Sequence, residues 1–485
     1  MDFQGFDAYE KSVNKTGNST VFMAQDGEGD FLVIMGEKPE NIQAQGFEGE
    51  KLPGDAFKAP LTHKNAIALR KLFPFTAPSR VLGKERSFGV GDRLGLATAG
   101  HIRLFTQYDA YPVFAQQSIR ELDLTGRNYE EVLDVVSFAV FREGFTKEWG
   151  ADGDHLKSAK DVENALSLGF TMITLDCSEH IKNDINDTNA PPLAQNYAEK
   201  YLGKKFDAGE GLVLSFSEDE LAKITAIYGG AIEFAKSIYK QFFEGGKYQA
   251  DFEISIDETL TPTTPLQHYF VARELSDAGV VFATMAPRFC GEFQKGVDYI
   301  GDLAQFEKEI KAHAIIARHF KYKLSIHSGS DKFAVFPLIG SAAEGVFHVK
   351  TAGTNWLEAM RVVALKDPAL YREVHQYALE AFSEARKYYH VTTDITKIPA
   401  LDKLTDADLP GLFEQNDSRQ LIHITYGLIL SKKDGGGANA GGVNGGAAFK
   451  ERLYKFWKEN AEEYAQALEK HIGKHLDLLG VKKHK

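Results

Sequence analysis

The residues best suited to chemistry in this sequence form short polar clusters that follow runs of β-forming residues. The densest is GADGDHLK, residues 150–157, which supplies Asp152, Asp154, His155 and Lys157. A carboxylate can act as a general acid or base, and a neighbouring imidazole can bind a metal ion or carry a proton. This cluster is therefore the first candidate for an active site.

Four further β-rich runs carry ionisable or hydroxyl side chains at comparable points. Alternation along FEISIDE, residues 252–258, places Glu253, Ser255 and Asp257 on one face of a strand, with Glu258 at its end. The corresponding residues of the other three runs are Asp176 and His180 in FTMITLDCSEH, His327, Ser328, Ser330, Asp331 and Lys332 in YKLSIHSGSDK, and His348, Lys350 and Thr351 in VFHVKTAGT.

Three histidines, His155, His327 and His348, lie at similar points of separate β-rich runs, each beside a carboxylate, a hydroxyl or a lysine. A single histidine next to a strand is usually a core residue, but three in equivalent places favour a shared site. Imidazoles with a carboxylate are suitable ligands for zinc, nickel, cobalt or manganese. The pattern predicts a divalent metal cation as cofactor without selecting the ion.

Cationic and amide side chains near the same clusters are candidates for contacting a substrate. Arg93 lies in SFGVGDRLGLATAGH, residues 87–101, which loosely resembles a phosphate-binding loop but lacks the Gly-Lys-Ser/Thr ending. A tight structural loop is the alternative interpretation of that segment. The predicted substrate-binding residues are Arg93, Gln117, Ser118, Asp176, Lys332 and Lys350.

Short β-rich runs alternate with longer helical patterns from about residue 79 to 430, which predicts a parallel sheet. The length of this region suits a (β/α)8 TIM-like barrel, in which loops after the strands converge on one mouth and carry the active site. A charged helical insertion is expected at about 181–250. We therefore assign the chain to the α/β class.

Smaller units flank the predicted barrel. Residues 1–78 indicate a small α/β unit, and residues 431–485 contain a Gly-rich run, DGGGANAGGVNGG (434–446), whose composition is that of a flexible linker. A C-terminal amphipathic helix is predicted from apolar residues at helical spacing, and we expect it to pack against the barrel. These residues are Phe449, Leu453, Phe456, Trp457, Tyr464 and Leu468.

Composition excludes several classes of protein. The formal net charge of −12, without a long basic stripe, argues against nucleic-acid binding. The two cysteines, Cys177 and Cys290, cannot form a disulfide framework, and no apolar run is long enough to span a bilayer. We expect a cytoplasmic protein. Barrels of this size frequently form homo-oligomers, although the sequence shows no interface signature.

Several long motifs together resemble the tagaturonate epimerase family over about residues 85–480. The resemblance implies a divalent-metal isomerase that interconverts tagaturonate and fructuronate, with relatives used as tagatose 4-epimerases on tagatose and fructose. The motifs are GADGDHLK, FAQQSIRE, ISIDETLTPTTPLQHYF, RFCGEFQKGVDYIGDLAQFE, IHSGSDKFAVFP, FHVKTAGTNWLEA and RQLIHITYG.

The site motifs are also similar, more distantly, to those of the metal-dependent class II aldolases. That similarity implies that Asp154 and Glu253 are catalytic acid/base residues and that His155 and His327 are metal ligands. The third ligand does not transfer directly. His348 is the expected third ligand, with Glu292 and His180 as rivals.

The two ketouronates differ at the carbon β to the ketone, where the hydrogen is not acidified by the carbonyl. Retro-aldol cleavage and re-addition is therefore the expected route, with Asp154 and Glu253 moving the hydroxyl proton on opposite faces. One alternative is an aldolase, or aldolase-like subunit, acting on phosphorylated ketoses. Another is a non-catalytic binding protein on a barrel scaffold.

Overall fold

A computed structural model of the protein describes residues 1–53, 56–186, 188–432 and 449–484. The Gly-rich run predicted as a linker at 434–446 lies outside these ranges. None of the helices in them combines the length and the apolar character that a bilayer span requires.

The N-terminal unit is an antiparallel sheet covered by two helices, α1 (Pro39–Ala44) and α2 (His63–Leu72). Alternate residues of strand β4 (Ser19–Asp26) face opposite sides. Val21 and Met23 share a core with Leu69 of α2, while Phe22 and Ala24 pack on the other face. The strands run in the order β1-β2-β4-β5-β7-β6, with β3 beside β4. They are β1 (Asp2–Phe3), β2 (Phe6–Ala8), β3 (Asn14–Thr16), β4 (Ser19–Asp26), β5 (Gly29–Met35), β6 (Glu50–Leu52) and β7 (Ala56–Pro60).

Eight parallel strands then close into a barrel, which confirms the predicted TIM-like fold. Six of them are the runs expected to be strands. The other two, β8 and β10, come from the segment interpreted as a Gly-rich loop and from the polar cluster GADGDHLK. In barrel order the strands are β8 (Arg86–Val90), β9 (Tyr111–Ser118), β10 (Gly150–Leu156), β11 (Met172–Asp176), β14 (Asp251–Ile256), β15 (Thr284–Pro287), β16 (Lys323–Ile326) and β17 (Phe347–Thr351).

Helices surround the barrel, and their apolar sides bury the outer faces of the strands. Between β11 and β14, the predicted insertion contains helix α7, the two-stranded pair β12–β13 and the long helix α8. Ser217 and Glu220 form a capping box at the start of α8. These elements are α3 (Thr98–Gln107), α4 (Ile119–Thr125), α5 (Tyr129–Glu143), α6 (Ala159–Leu168), α7 (Gln195–Tyr201), β12 (Phe206–Asp207), β13 (Val213–Leu214), α8 (Glu218–Phe242), α9 (Pro265–Asp277), α10 (Leu303–Phe320) and α11 (Phe336–Ala342).

Among the described residues, five helices follow the last barrel strand and share a second core, in which Trp356 and Trp457 lie edge to face. All six residues of the C-terminal apolar stripe are buried there, in two consecutive helices rather than one. Truncating a buried tryptophan of this kind typically costs about 3–5 kcal/mol. The helices are α12 (Thr354–Lys366), α13 (Pro368–Ala385), α14 (Asn416–Ser431), α15 (Phe449–Glu459) and α16 (Ala461–Leu478).

The connection from α13 to α14 contains three 3-10 helices and reaches over the barrel mouth. Its residues Tyr388, Tyr389 and His390 line the cavity described below. The 3-10 helices of the chain are Glu10–Ser12, Pro74–Thr76, Ser178–His180, Glu244–Gly246, Ile395–Lys397, Leu401–Lys403 and Asp406–Glu414. The walls of the mouth are therefore formed partly by barrel loops and partly by the C-terminal helical region.

Candidate active site

A cavity of about 810 Å³ opens at the carboxyl ends of the barrel strands. Its floor contains Asp154, His155, Asp257, His327 and Lys350. This is the end of a (β/α)8 barrel at which active sites are built, because the loops after all eight strands meet there.

The backbone of β10 brings two adjacent side chains to the same cavity. In a regular strand neighbouring side chains point to opposite faces, so Asp154 and His155 would diverge. The register with β11 shifts between Gly153 and Leu156, and His155 has a left-handed φ of 55°. A non-glycine residue in that conformation is uncommon and typically costs on the order of 1 kcal/mol or more. The bend turns the His155 ring towards the site while Asp154 keeps its inward position.

His155, His327 and Asp257 form the central group, with one ligand atom from each within 4.8 Å of the others. Asp257 Oδ1 lies 3.2 Å from His327 Nδ1 and 4.0 Å from His155 Nε2. Asp257 follows β14 and His327 follows β16, so two separate strands and β10 contribute to the group. Two imidazoles and a carboxylate are a donor set that fits a divalent cation such as zinc.

Each imidazole of this group is held from behind by a second carboxylate. His155 Nδ1 donates to Asp154 Oδ1 at 2.7 Å, and His327 Nε2 donates to Glu253 Oε1 at 2.7 Å. The remaining nitrogen of each ring therefore faces Asp257. Carboxylates in this position orient histidine ligands of metal ions and make them more basic, so the arrangement supports a metal site.

Electrostatics in the group are dominated by the carboxylates. Burial opposes protonation of His327, yet Asp257 and Glu253 together raise its pKa to about 10. Burial likewise opposes protonation of His155, but the Asp154 carboxylate raises its pKa above the usual value. These imidazoles lie where a positive charge is strongly favoured, and a cation between the rings would supply that charge.

Lys350 lies beneath this group and joins three carboxylates. Its Nζ is 2.6 Å from Asp152 Oδ2, 2.5 Å from Asp154 Oδ1 and 3.4 Å from Glu253 Oε1. Burial opposes ionisation of Asp154, but Lys350 and His155 hold its pKa well below the usual range. Asp152 is the exception, because burial raises its pKa to about 6 despite Lys350. Asp154 is therefore an ionised carboxylate.

The structure places Glu253 and His348 differently from the sequence prediction. Glu253 lies behind His327, below the cavity, and its Oε2 accepts a hydrogen bond from Thr284 at 2.5 Å. His348 lies deeper in the barrel, where its Nδ1 is 2.9 Å from Ser87 Oγ and burial lowers its pKa to about 3. His348 is not part of the central group, in which Asp257 takes the third place.

The two rival third ligands also lie outside the central group. Glu292 lines the cavity, 3.9 Å from Arg288 and 3.8 Å from His390. His180 stacks on Phe234 of the insertion, with 4.1 Å between ring centroids.

Of the six predicted substrate-binding residues, Ser118, Asp176 and Lys350 line the cavity. Gln117 is fully buried beside the cavity wall without a hydrogen-bond partner for its amide among the described residues. Lys332 is buried, and its Nζ donates to three backbone carbonyls instead of facing the cavity.

Arg93 is also directed away from the cavity. It forms a buried ion pair with Glu121, with Nη2 at 2.8 Å from Oε1, and lies over the ring of Tyr426. The loop around it does not present free amides to a phosphate. The backbone amides of Leu94 and Ala97 donate to the Asp92 carboxylate, which occupies the concavity. These contacts fit the alternative interpretation of this segment as a tight structural loop.

Two cationic cavity residues, Arg120 and Lys295, were not among the sequence candidates. Arg120 lies at the start of α4, and Lys295 lies in the loop between β15 and α10. Lys295 is distant from the end of β15, and Arg120 lies beyond the end of β9, so alternation along a strand gives no signal for either residue. Their cationic character within the motifs FAQQSIRE and RFCGEFQKG was the available clue.

Comparison with known proteins finds relatives that match almost the whole chain. A family model described as tagaturonate epimerase matches residues 9–479. The chain belongs to the tagaturonate epimerase family. A curated relative, Tagaturonate/fructuronate epimerase from Thermotoga maritima, is 43% identical over 487 residues, which cover 98% of this chain and 97% of the relative.

Solved structures agree with this assignment. The glycerol-complexed crystal structure of fructuronate-tagaturonate epimerase UxaE from Cohnella laeviribosi has a TM-score of 0.92 and 46% identity, covering 99% of this chain and 97% of that one. The native crystal structure of the same enzyme has a TM-score of 0.92 and 45% identity over the same shares. Membership of the tagaturonate epimerase family places the protein among the isomerases and confirms the resemblance found in its motifs.

Proposed function

We propose that this member of the tagaturonate epimerase family interconverts tagaturonate and fructuronate by metal-dependent retro-aldol chemistry. The observation that carries the proposal is the central group. His155, His327 and Asp257 face one another at the cavity floor, and the ionised carboxylate of Asp154 lies beside them. The names of the relatives from Thermotoga maritima and Cohnella laeviribosi support the substrate.

Inversion at the carbon β to the ketone explains why this site needs a base near a Lewis acid. Deprotonating that carbon directly is unfavourable, because the resulting carbanion is not conjugated with the carbonyl. Deprotonating its hydroxyl instead allows the neighbouring carbon–carbon bond to break, giving an aldehyde and an enediolate. Rotation of the aldehyde and re-formation of the same bond then inverts the carbon, with no net change in atoms or electrons.

His155, His327 and Asp257 are the residues that would hold a divalent cation. When bound, such a cation supplies Lewis-acid stabilisation of negative charge that develops on substrate oxygens. Zinc, nickel, cobalt and manganese are all compatible with this donor set. In this proposal Glu253 is a positioning residue, because its carboxylate holds His327 and does not reach the cavity.

Asp154 is the proposed base for the substrate hydroxyl. Its Oδ1 contacts both Lys350 and His155, while its Oδ2 has no hydrogen-bond partner among the described residues. The residue lines the cavity and is ionised, which supports a role for its second carboxylate oxygen as the proton acceptor. A positioned base of this kind contributes roughly 10²–10⁴-fold to a rate.

The test is an assay of product stereochemistry. Purified protein, stripped with a chelator and then resupplied separately with each of the four metals, is incubated with tagaturonate and, in parallel, with tagatose. We expect fructuronate from tagaturonate and recovery of activity on metal addition. Activity that survives the chelator would contradict metal dependence, and net release of two fragments would instead indicate an aldolase.

A second assay separates retro-aldol chemistry from direct proton exchange. The reaction is run in deuterated water, and the product is examined for deuterium at the inverted carbon. Retro-aldol cleavage leaves the original hydrogen in place, because only an oxygen-bound proton is removed. Deuterium at that carbon would rule out the proposed route.

We also propose that the enzyme works in the cytoplasm. Both cysteines, Cys177 and Cys290, are free and buried, which is typical of a protein from a reducing compartment.

A further inference from the structure

The charges that line the cavity set where an anionic substrate can lie. Eight carboxylates and five lysine or arginine side chains face it. A substrate carboxylate is repelled by most of this surface and needs a cation that is not already neutralised. The ion pairs of the five cations therefore decide where such a group can bind.

Three of the five cations have carboxylate partners within the protein. Lys350 joins three buried carboxylates. Lys157 lies 3.5 Å from Asp176 Oδ2, and Arg288 lies 3.9 Å from Glu292 Oε1. Binding a further anion at any of them would compete with an existing ion pair.

Lys295 and Arg120 have no carboxylate within ion-pair distance among the described residues. Lys295 Nζ contacts only Ser328 Oγ, at 3.4 Å, which leaves two of its three N–H donors free. The guanidinium of Arg120 makes no hydrogen bond in the described part of the chain and lies 5.1 Å from the ring centroid of Tyr389. Glu121, a buried acid whose charge acts on both cations, is already paired with Arg93.

The two cations are also close enough to repel each other. Burial lowers the pKa of Lys295, and the positive charge of Arg120 lowers it further. Glu121 and Glu258 offset part of this repulsion but form no ion pair with either cation among the described residues, so the site still favours binding of an anion. Ser328, which Lys295 contacts, directly follows His327 in the central group, so this cationic pair borders the candidate reaction centre.

The loop that carries Lys295 is fixed in place by other cations. Lys332 donates to the carbonyls of Gln294 and Val297 at 2.9 and 2.7 Å, and Arg419 donates to the carbonyl of Gly296 at 2.8 Å. Carbonyls on both sides of Lys295 are thereby tethered. A binding residue held this rigidly loses little entropy when a ligand arrives.

We propose that Lys295 and Arg120 bind the carboxylate of the sugar acid and so give the enzyme its preference for a ketouronate over a neutral ketose. This inference rests on the proposed function and assigns its substrate specificity to two residues. A planar carboxylate can accept hydrogen bonds from the ammonium and from the guanidinium fork together, and charge-assisted hydrogen bonds of this type are among the strongest in proteins.

The test compares Lys295→Met and Arg120→Met with the control Lys308→Met, an exposed lysine on α10. Steady-state kcat/KM is measured for tagaturonate and for tagatose, and the affinity for each is measured by calorimetry in an Asp154→Asn background. We expect each cavity variant to lose roughly 10- to 100-fold in kcat/KM and affinity for the ketouronate, with less than about a threefold change for the ketose. Lys308→Met should change neither, and Lys295→Arg should keep most of the preference.

Three other outcomes are informative. Equal losses for both sugars, or no loss for either, would overturn the assignment. If the wild-type protein epimerises neither sugar, the proposed function fails, but a preference for binding the ketouronate that disappears in Lys295→Met would still support the anion site. Arg120 is exposed, so its variant tests the idea even if Lys295→Met does not fold.

Discussion

The most informative prediction concerns removal of Lys350, because its single ammonium group balances three buried carboxylates. Replacing it with methionine keeps most of the side-chain volume and removes the charge. The side chains of Lys350 and its three partners are all 0–8% exposed. Breaking a buried ion pair by removing one partner typically costs about 3–5 kcal/mol, since a charge is left uncompensated. Unfolding entropy of about 2.1 cal/mol/K per residue amounts to roughly 1 kcal/mol/K for a chain of this length. Lys350→Met should therefore lower Tm by roughly 3–5 °C.

The lowered pKa values of Asp154 and Glu253 predict how the loss of stability in Lys350→Met depends on pH. Burial opposes ionisation of Asp154 and Glu253, but Lys350 holds both pKa values well below their usual range in the folded protein. Carboxylates with depressed pKa values stabilise the folded state above the unfolded-state pKa of about 4, and this contribution is lost as the pH falls through the folded-state value. Without Lys350 this contribution becomes smaller, although His155 and His327 still stabilise the two carboxylates. The Tm difference from wild type should therefore be largest near neutral pH and should narrow towards pH ~4.

Activity should report the same change at Asp154. Once Lys350 is removed, Asp154 binds a proton more readily, so the acidic limb of the kcat/KM profile should move up by at least about one pH unit. Asp152 supplies the control, because adding Asp152→Asn to Lys350→Met removes one of the unbalanced carboxylates. The double variant should recover at least ~1 kcal/mol of the loss. An unchanged Tm and pH profile in Lys350→Met, or no recovery in the double variant, would refute this account of the charge cluster.

Two further predictions concern the residues behind the imidazoles. Asp154→Asn should lower kcat at saturating metal by roughly 10²–10⁴-fold, because the proposed base is lost. Asp154 and Glu253 each support an imidazole, so metal affinity should weaken in both variants, but the amide oxygen of Asp154→Asn can still accept from His155 and the metal should bind at saturating concentration. Discontinuous rate assays with metal analysis of the same sample check this, and a near-normal kcat would exclude Asp154 as the base. Glu253→Gln should weaken metal affinity by roughly 10–100-fold, because the carboxylate acts through His327. A metal titration with a competing chelator measures that loss, and a large drop in kcat at saturating metal would instead indicate a direct catalytic role.

Much of the fold was predictable because its signal is local. Alternation of β-rich runs with helical patterns identified six of the eight barrel strands and the insertion. The sequence predicts a loop where β8 lies, because Gly89 within the strand and Gly91 directly after it resemble turn residues. In the structure, Gln116 packs directly against Gly89 and Gly91, leaving no room for a side chain at either position.

The sequence predicts which face of a strand each site residue occupies, but not how close to the cavity it lies. Alternation correctly placed Glu253, Ser255 and Asp257 on one face of β14, yet successive positions on that face are separated by about 6.6 Å along the strand. Asp257 therefore approaches the cavity-facing nitrogens of both imidazoles, whereas Glu253 contacts His327 from the layer below. The same argument separates Lys350 from His348 on β17. A sequence pattern carries no information about which layer reaches the cavity.

Residues supplied by loops were the hardest to predict. Lys295 and Arg120 occupy loop and helix-start positions with no periodic signal, and only the folded chain brings them together. Lys332 was selected because it follows His327 closely in sequence, but its ammonium group satisfies backbone carbonyls of the Lys295 loop. Proximity in sequence to a site residue thus identified a supporting residue and not a cavity residue.

The central claim is that His155, His327 and Asp257 share one divalent cation. It is tested most directly by measuring bound metal per chain, after reconstitution and removal of excess ion, in the wild type, Asp257→Ala and His348→Ala. We expect about one equivalent in the wild type and in His348→Ala, and a loss of stoichiometric metal in Asp257→Ala, where one of three protein ligands is gone. Full occupancy in Asp257→Ala together with metal loss in His348→Ala would contradict the account.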